Sequence, residues 1–323
     1  MSVSVILVNW NSGNLLAECL QHLERQTVPP EYIFVVDNDS TDGSADIKDV
    51  SVRVTVLKMA DNIGFAAANN RALDRCTTEF VVLLNIDAFP EPDWIEQLLK
   101  AALRYPDAAA FGSRQLSYEN PNILDGIGDG YHLSGLVWRN GHGRRWRSQD
   151  LITHEIFSPC AAAAMYRLSA LVEVNGFDED YFCYVEDVDL GFRLRLAGYK
   201  AIYVPDAVVR HMGSVITGGQ RSDFSVYYGH RNLVWTYIKN MPGLLFWFLL
   251  PFHLLLNIVT IGVFTLRGQL RIILKAKLDA IKKIPQTWMK RKRIQAERIA
   301  KIQAIWKILD KHLLPRKKTS FIK

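Results

Sequence analysis

Four polar signals end apolar stretches in this chain: Asp37-Asn38-Asp39, Asn85-Ile86-Asp87, Glu186-Asp187 and His211. Their residue types suit a divalent cation, a diphosphate and a general base. A carboxylate at a strand end can ligate a hard cation, and that cation can neutralise a diphosphate leaving group as its charge develops. Asp87 is the candidate ligand, although a carboxylate close to Pro90 also suits a helix N-terminus. Asn85 could touch a ribose, a sugar hydroxyl or metal-bound water, or simply form a turn. His211, directly after Val208-Val209-Arg210, offers an imidazole nitrogen to a metal or to a structural hydrogen bond.

Glu186, Asp187 and Asp189 fall in the first turn of one predicted helix, where the dipole favours acids. Asp189 stands four residues before Arg193, the spacing of a helical ion pair, which assigns it to structure. Neighbours on a helix point about 100° apart, so Glu186 and Asp187 cannot both face one ligand atom. One is the base and the other its positioner.

These groups need a sheet edge to display them. Residues 81–84 form a short uncharged apolar run, a buried strand whose C-terminal end delivers Asn85 and Asp87. Residues 3–8, 32–36 and 52–58 also read as strands. Helices are predicted after the Asn11-Ser12 cap, through Leu15, Leu16, Cys19, Leu20 and Leu23, and over 65–75. Another is expected to start at Pro90 and run to about Tyr105. Strand and helix alternate, so the class is α/β with a Rossmann-like, mostly parallel central sheet and helices on both faces, binding ligands at the strand ends. Residues 112–155 read as a long irregular substrate-facing region. Order returns with 161–167 and the Gly176-Phe177-Asp178 turn, then a helix over 186–197 closed by Gly198 and a strand over 200–204, and 208–211 closes the body.

The net charge of +6 conceals an asymmetry: residues 267–323 hold 18 Lys and Arg against 3 Asp and Glu, so the body before them is acidic. An acidic body argues against nucleic acid as the main ligand. Residues 243–266 carry no Asp, Glu, Lys or Arg, and Leu270, Ile273, Leu274, Leu278 and Ile281 follow at helical spacing. An apolar segment followed by a basic amphipathic helix suits an anionic membrane surface. Pro251 and the positive tail argue against a simple span, leaving a kinked, re-entrant or interfacial segment beside a buried core helix. Cys19, Cys76, Cys160 and Cys183 form no CxxC pair, and the N-terminus enters a strand directly, so a reduced, cytosolic setting is expected.

One set of residues carries a family resemblance: Asn62-x-Gly64-Phe65-Ala66 with Asn70, Leu83-Leu84-Asn85-x-Asp87, Gly176-Phe177-Asp178-Glu179, Glu186-Asp187-x-Asp189-Leu190 with Arg193 and Gly198-Tyr199, and His211-x-Gly213-Ser214. In this order and spacing, over about residues 1–240, the chain resembles the inverting family 2 glycosyltransferases, and among them bacterial rhamnosyltransferases of cell-surface polysaccharide synthesis. The resemblance implies a GT-A catalytic domain over 1–240, with 241–323 as membrane-associated helices. It also implies a nucleotide-diphospho-sugar donor such as dTDP-rhamnose, Mg2+ or Mn2+, and a lipid-linked or glycan acceptor at the cytoplasmic face of the cell membrane.

By the same resemblance Asp187 is the general base with Glu186 beside it, and Asp87 and His211 hold the metal. Val8, Trp10, Asp37, Asn38, Asn62, Gly64, Asn70, Asn85 and Ile86 surround the donor. Two departures stand out: the family's Asp-x-Asp is Asn85-Ile86-Asp87 here, and Cys160 stands where glycine is frequent. An inactive nucleotide-sugar-binding scaffold on the same fold is the alternative. A nucleotidyltransferase lacks support, because no Gly-rich loop bearing Lys or Arg follows the first strand.

Overall fold

The chain is described by a computed structural model over residues 1–47, 53–213 and 222–312. It opens with β1 (Val3–Asn9), α1 (Leu15–Glu24), β2 (Tyr32–Asp37), β3 (Val54–Lys58), α2 (Gly64–Leu73) and β4 (Phe80–Leu84). The four strands lie parallel in the order β3-β2-β1-β4. Alternate residues of these near-continuous apolar runs point to opposite faces, and both faces are covered. Val5, Leu7, Val82 and Leu84 pack with Leu16, Cys19 and Leu20 of α1. Ile6, Val81 and Leu83 pack with Ala66, Ala68 and Ala72 of α2. Val52, at the start of the predicted third strand, lies outside the described residues, as does Ser214.

Next come β5 (Ala88–Pro90), α3 (Trp94–Arg104), β6 (Ala108–Ser117), β7 (Leu124–Gly126), β8 (Asp129–Tyr131), β9 (Val137–Arg139), β10 (His154–Ile156), β11 (Ala163–Arg167), α4 (Leu168–Glu173), α5 (Glu186–Leu196) and β12 (Lys200–His211). β11 enters between β4 and β6, antiparallel to both, while β12 runs parallel to β6. The sheet, in the order β10-β12-β6-β11-β4-β1-β2-β3, is therefore mixed, with its parallel block at the N-terminal side. Pro90 does not open a helix. It ends β5 opposite Val209 of β12, where a residue without N–H is tolerated, and the helix begins at Trp94. The strand expected over 200–204 runs on to His211, with a register break between Val204 and Val208. Helix α5 closes as expected: Tyr199 N donates to Leu194 O and Gly198 N to Arg195 O, with Gly198 at φ 98°.

The chain continues through α6 (Asp223–Asn240), α7 (Gly243–Leu266), α8 (Leu270–Lys282), α9 (Ile284–Ala296) and α10 (Ile302–Ile308). Helix α7 runs back along α6: Tyr237 stacks on His253 at 4.1 Å, and further on His230 meets Phe264 at 4.6 Å. After α7 the chain stays on the same body. Trp235 Nε1 donates to Ala280 O, Arg291 Nη1 donates to the carbonyls of Ile238 and Met241, and the N–H groups of Ile299 and Ala300 reach Leu196 O. Helix α7 is thus tied to α6, and its 24 residues are long and apolar enough to cross a membrane. It is not a core helix, because Leu244, Trp247, Phe248 and Ile258 are each 60 % exposed or more. Part of the tail's positive charge is internal as well: Lys283 pairs with Asp180, and Lys290 with Asp178 and Asp180.

Candidate active site

The ends of β1 and β2 are tied by one buried amide. Asn9, in register with Asp37, donates through Nδ2 to Asp37 Oδ1 at 3.0 Å, Ser40 Oγ at 3.1 Å and Ser44 Oγ at 3.0 Å, and its Oδ1 accepts from Ser12. Asp37 and Asn38 are both buried. Asn38 Nδ2 donates to Asn62 Oδ1 at 2.8 Å and Asn38 Oδ1 accepts from Ile63 N at 3.0 Å, so its side chain shapes the 62–64 turn. Val8 is half-buried and Trp10 stands 39 % exposed at the rim. Gly64 has φ 84°, and a Cβ there would lie 2.5 Å from a Phe182 ring carbon, which demands glycine twice over.

Asn70 Oδ1 accepts from Phe177 N, and its Nδ2 donates to Phe177 O and Glu179 Oε1, so it clamps the 177–179 turn onto α2. The Ile86 side chain is 2 % exposed and belongs to the core, leaving only its backbone for a ligand. Asn85 is half-buried in the turn after β4, its N–H donating to Ala162 O and its carbonyl accepting from Ala88 N.

Asp87 and His211 come together because β5 and β12 pair antiparallel, with His211 opposite Ala88. His211 Nε2 lies 3.3 Å from Asp87 Oδ1, and His211 Nδ1 is 2.7 Å from Asp125 Oδ2. Asp125 in turn accepts from Arg139 Nη1 at 2.6 Å. The stem of Arg139 passes where Gly126 has no Cβ, since one built there would lie 2.4 Å from Arg139 Cδ. Burial alone would lower the imidazole's proton affinity. The hydrogen bonds to Asp125 and Asp87 outweigh it and push His211 up to about 9. Burial would likewise raise Asp125, but Arg139, His142 and His211 hold it well below the usual carboxylate range. Nδ1 is fixed by Asp125 and Nε2 faces Asp87 Oδ1, so Asp87 and His211 together could hold a divalent cation.

At the start of α5, Asp187 is half-buried, its Oδ2 accepting from Ala161 N at 3.1 Å and its Oδ1 from Val188 N at 2.8 Å. Burial raises its proton affinity, and the Ala161 N–H and the charge of Arg139 partly offset this. Glu186 is buried, with Oε2 unpartnered, and burial together with the Asp187 charge pushes it well above the usual range. Asp129 is raised for the same two reasons. Donor atoms of Asp129, Cys160 and Asp187 lie within 4.8 Å of one another. Arg139 already brings its positive charge to these three, so the cation reading stays with Asp87 and His211.

The approach to α5 is strained: Phe182, Tyr184 and Val185 have φ of 63°, 66° and 67°. Such residues cost on the order of 1–3 kcal/mol each and persist only when their surroundings over-determine them. Four residues beyond Val185, Asp189 is fully buried and satisfied by Tyr181, Arg193, Lys239 and Asn240, the structural role its spacing predicts.

Asn9, Asp125, Asp129 and Arg139 escape a sequence reading. Asn9 carries the one available signal, a polar residue ending the first strand. The other three sit in the 112–155 region, where β7, β8 and β9 are three residues each, too short for periodicity to register.

Residues 4–174 match the glycosyl transferase family 2 model. The chain is similar to the N-acetylglucosaminyl-diphospho-decaprenol L-rhamnosyltransferase of Mycobacterium tuberculosis, 32 % identical over 243 residues that cover 66 % of this chain and 77 % of the relative. It is also similar to the O-antigen chain rhamnosyltransferase RfbN of Salmonella typhimurium, 25 % identical over 65 % of this chain and 66 % of the relative. Among solved structures it resembles the mannosyltransferase PcManGT of Pyrobaculum calidifontis in complex with GDP-Man and Mn2+, with TM-score 0.55 and 18 % identity over 94 % of this chain and 87 % of that one. GalNAc-T7 with UDP, GalNAc and Mn2+ gives TM-score 0.59 and 14 % identity over 74 % of this chain and 48 % of that one. The mixed sheet, the acids at its strand ends and these likenesses agree: the chain belongs to glycosyl transferase family 2.

Proposed function

We propose that the protein transfers L-rhamnose, with inversion, from dTDP-rhamnose to a hydroxyl of a lipid-linked glycan at the cytoplasmic face of the cell membrane. The observation that carries this reading is the 32 % identity, over 243 residues, to a rhamnosyltransferase whose name specifies a diphospho-decaprenol acceptor. Asp87 and His211 would hold Mg2+ or Mn2+, and their side-by-side placement, with His211 Nδ1 fixed by Asp125, supports that fit. When bound, the cation supplies neutralisation of the diphosphate. Asp37 and Asn38 shape the nucleotide side with Asn62, and Trp10 closes its rim. Asp187 removes the acceptor proton, and its environment supports this role: the carboxylate is half-buried and its proton affinity is raised, as a general base requires. Glu186, pressed into the interior beside it, keeps its proton and backs Asp187.

The outer face of α7 supports the membrane part. It continues into α8, whose inner side buries Ile273, Ala276 and Ala280 while Leu270, Leu274, Leu278 and Ile281 stay exposed in a stripe. Exposed Arg271, Lys275 and Lys282 border that stripe. Cations near an anionic leaflet contribute about 1 kcal/mol each. The helices would lie in the interface and hold the site beside a membrane-anchored acceptor. Cutting after Asn240 is not a clean test, because it would uncover Val188, Phe192 and Leu196, which pack on Phe246, Leu249 and Ile305.

The experiment is a transfer screen over nucleotide sugars with Mg2+ or Mn2+ and a lipid-linked acceptor, run beside flotation on anionic vesicles. The expected results are turnover with dTDP-rhamnose and flotation that Leu274→Asp with Leu278→Asp weakens. Turnover with another donor alone would overturn the sugar assignment. Failure to float, together with a stable dimer, would make the apolar face an interface between copies.

A further inference from the structure

Helix α6 grips the strained backbone that delivers Asp187. Asn232 is fully buried, and its Nδ2 lies 3.0 Å from Tyr181 O, 2.9 Å from Cys183 O and 2.8 Å from Tyr184 O. Its Oδ1 accepts from Arg231 Nε at 2.9 Å. Arg231 Nη2 donates to Asp180 O and Tyr181 O, and its guanidinium sits over the rings of Tyr228 and Trp235 at 4.7 and 4.3 Å. Phe182 stacks on Tyr228 at 5.0 Å, and its carbonyl accepts from Ala66 N of α2.

The carbonyls that converge on Asn232 belong to the stretch where Phe182, Tyr184 and Val185 take left-handed φ with no glycine among them. Left-handed backbone is unfavourable for such residues, a β-branched valine above all, so the segment needs an external template. One amide reaching three carbonyls supplies it. Val185 is the residue immediately before α5, so its conformation sets the direction of Glu186 and Asp187.

We propose that Asn232 is a positioning residue for the reaction. By gathering the carbonyls of Tyr181, Cys183 and Tyr184 it holds the left-handed turn that aims Asp187 at the acceptor hydroxyl, and Arg231 holds Asn232. The inference rests on the reading of Asp187 as the base. It assigns work to α6, a helix beyond the matched residues 4–174.

The test compares full-length wild type, Asn232→Ala, Asn232→Ala with Val185→Gly, and Asp187→Asn. Misplacement of a base by about 1 Å costs on the order of 100-fold, so Asn232→Ala should lose about that much kcat while keeping its affinity for nucleoside diphosphate with Mn2+. Its acidic limb should move to lower pH, because a loosened turn admits water to Asp187, which among the described residues is faced by Arg139, Asp129, Cys160, Tyr166, Cys183 and Glu186. Val185→Gly should restore about tenfold, since glycine takes the left-handed conformation without a template. If Asn232→Ala does not fold, Asn232→Asp replaces it. That variant keeps the volume and the acceptor for Arg231 but has no amide hydrogens, and the same loss is expected.

Normal turnover in the Asn232 variant while Asp187→Asn is inactive would overturn the proposal and leave the base assignment standing. A lower kcat with an unmoved pH limb and no rescue by Val185→Gly would also overturn it. Turnover in Asp187→Asn would instead remove the base reading itself.

Discussion

Two acid-rich regions meet at the first turns of α5, and they behave in opposite ways. Around Asp187, the carboxyls of Asp129 and Glu186 crowd together with Arg139 as their cation, and all three acids hold protons more tightly than usual, chiefly through burial. Asp189 is two residues further on, about 200° around the helix. It faces Lys239 and Arg193, and Asp178 faces Lys239 and Lys290. Burial would raise both, yet their cations hold them below the usual range. Full pairing marks acids that hold the helical layer to the body. Crowding against burial is the environment of the proposed general base.

The comparison breaks most visibly at Asp189. Asp189→Asn leaves Lys239 and Arg193 buried without this counter-charge, and loss of one partner of a buried pair costs about 3–5 kcal/mol. Urea unfolding should show this loss, and a change below about 1 kcal/mol would put Asp189 outside the architectural set. Asp125→Asn acts on the other region. It removes the carboxylate that orients His211, a loss expected to weaken cation-dependent nucleotide binding by about 10–100-fold. Calorimetry with and without Mn2+ checks it, and equal affinities would detach His211 from the cation.

Arg139→Gln has the smallest effect and the most informative sign. Arg139 lowers Asp187 against the burial that raises it. Without that charge Asp187 takes up its proton at higher pH. Transfer needs the carboxylate, so the acidic limb of kcat/KM should move to higher pH. A limb that stays in place or moves down would show that Arg139 does not govern the base.

Much of this frame is legible in the sequence. Apolar runs buried on two faces mark β1, β2 and β4 within a residue of their ends, because a strand covered on both sides needs unbroken hydrophobicity. The i,i+4 spacing identifies Asp189 with Arg193, and Gly198 marks the end of α5. Strand direction is not legible, since the apolar run of β11 reads alike either way, and its antiparallel entry makes the sheet mixed. Pro90 suits a helix start and an edge strand equally, and only its pairing with β12 decides. Asp125, Asp129 and Arg139 stay hidden because their roles arise from contacts far along the chain: Asp125 meets His211 across 86 positions. Asn70 looks like a ligand contact in its motif, yet its polar atoms are committed to Phe177 and Glu179, and sequence spacing carries no trace of that long-range clamp.

In the proposed reaction Asp187 takes the acceptor proton, while the donor side of the site is built separately. The most direct measurement is single-turnover transfer by Asp187→Asn from dTDP-rhamnose to a lipid-linked acceptor, set beside calorimetry of donor binding with Mn2+. The amide has the same shape but cannot accept the proton, so the account predicts a loss on the order of 100–10,000-fold in transfer with donor affinity nearly unchanged. Near-normal transfer, or a parallel collapse of donor binding, would contradict it.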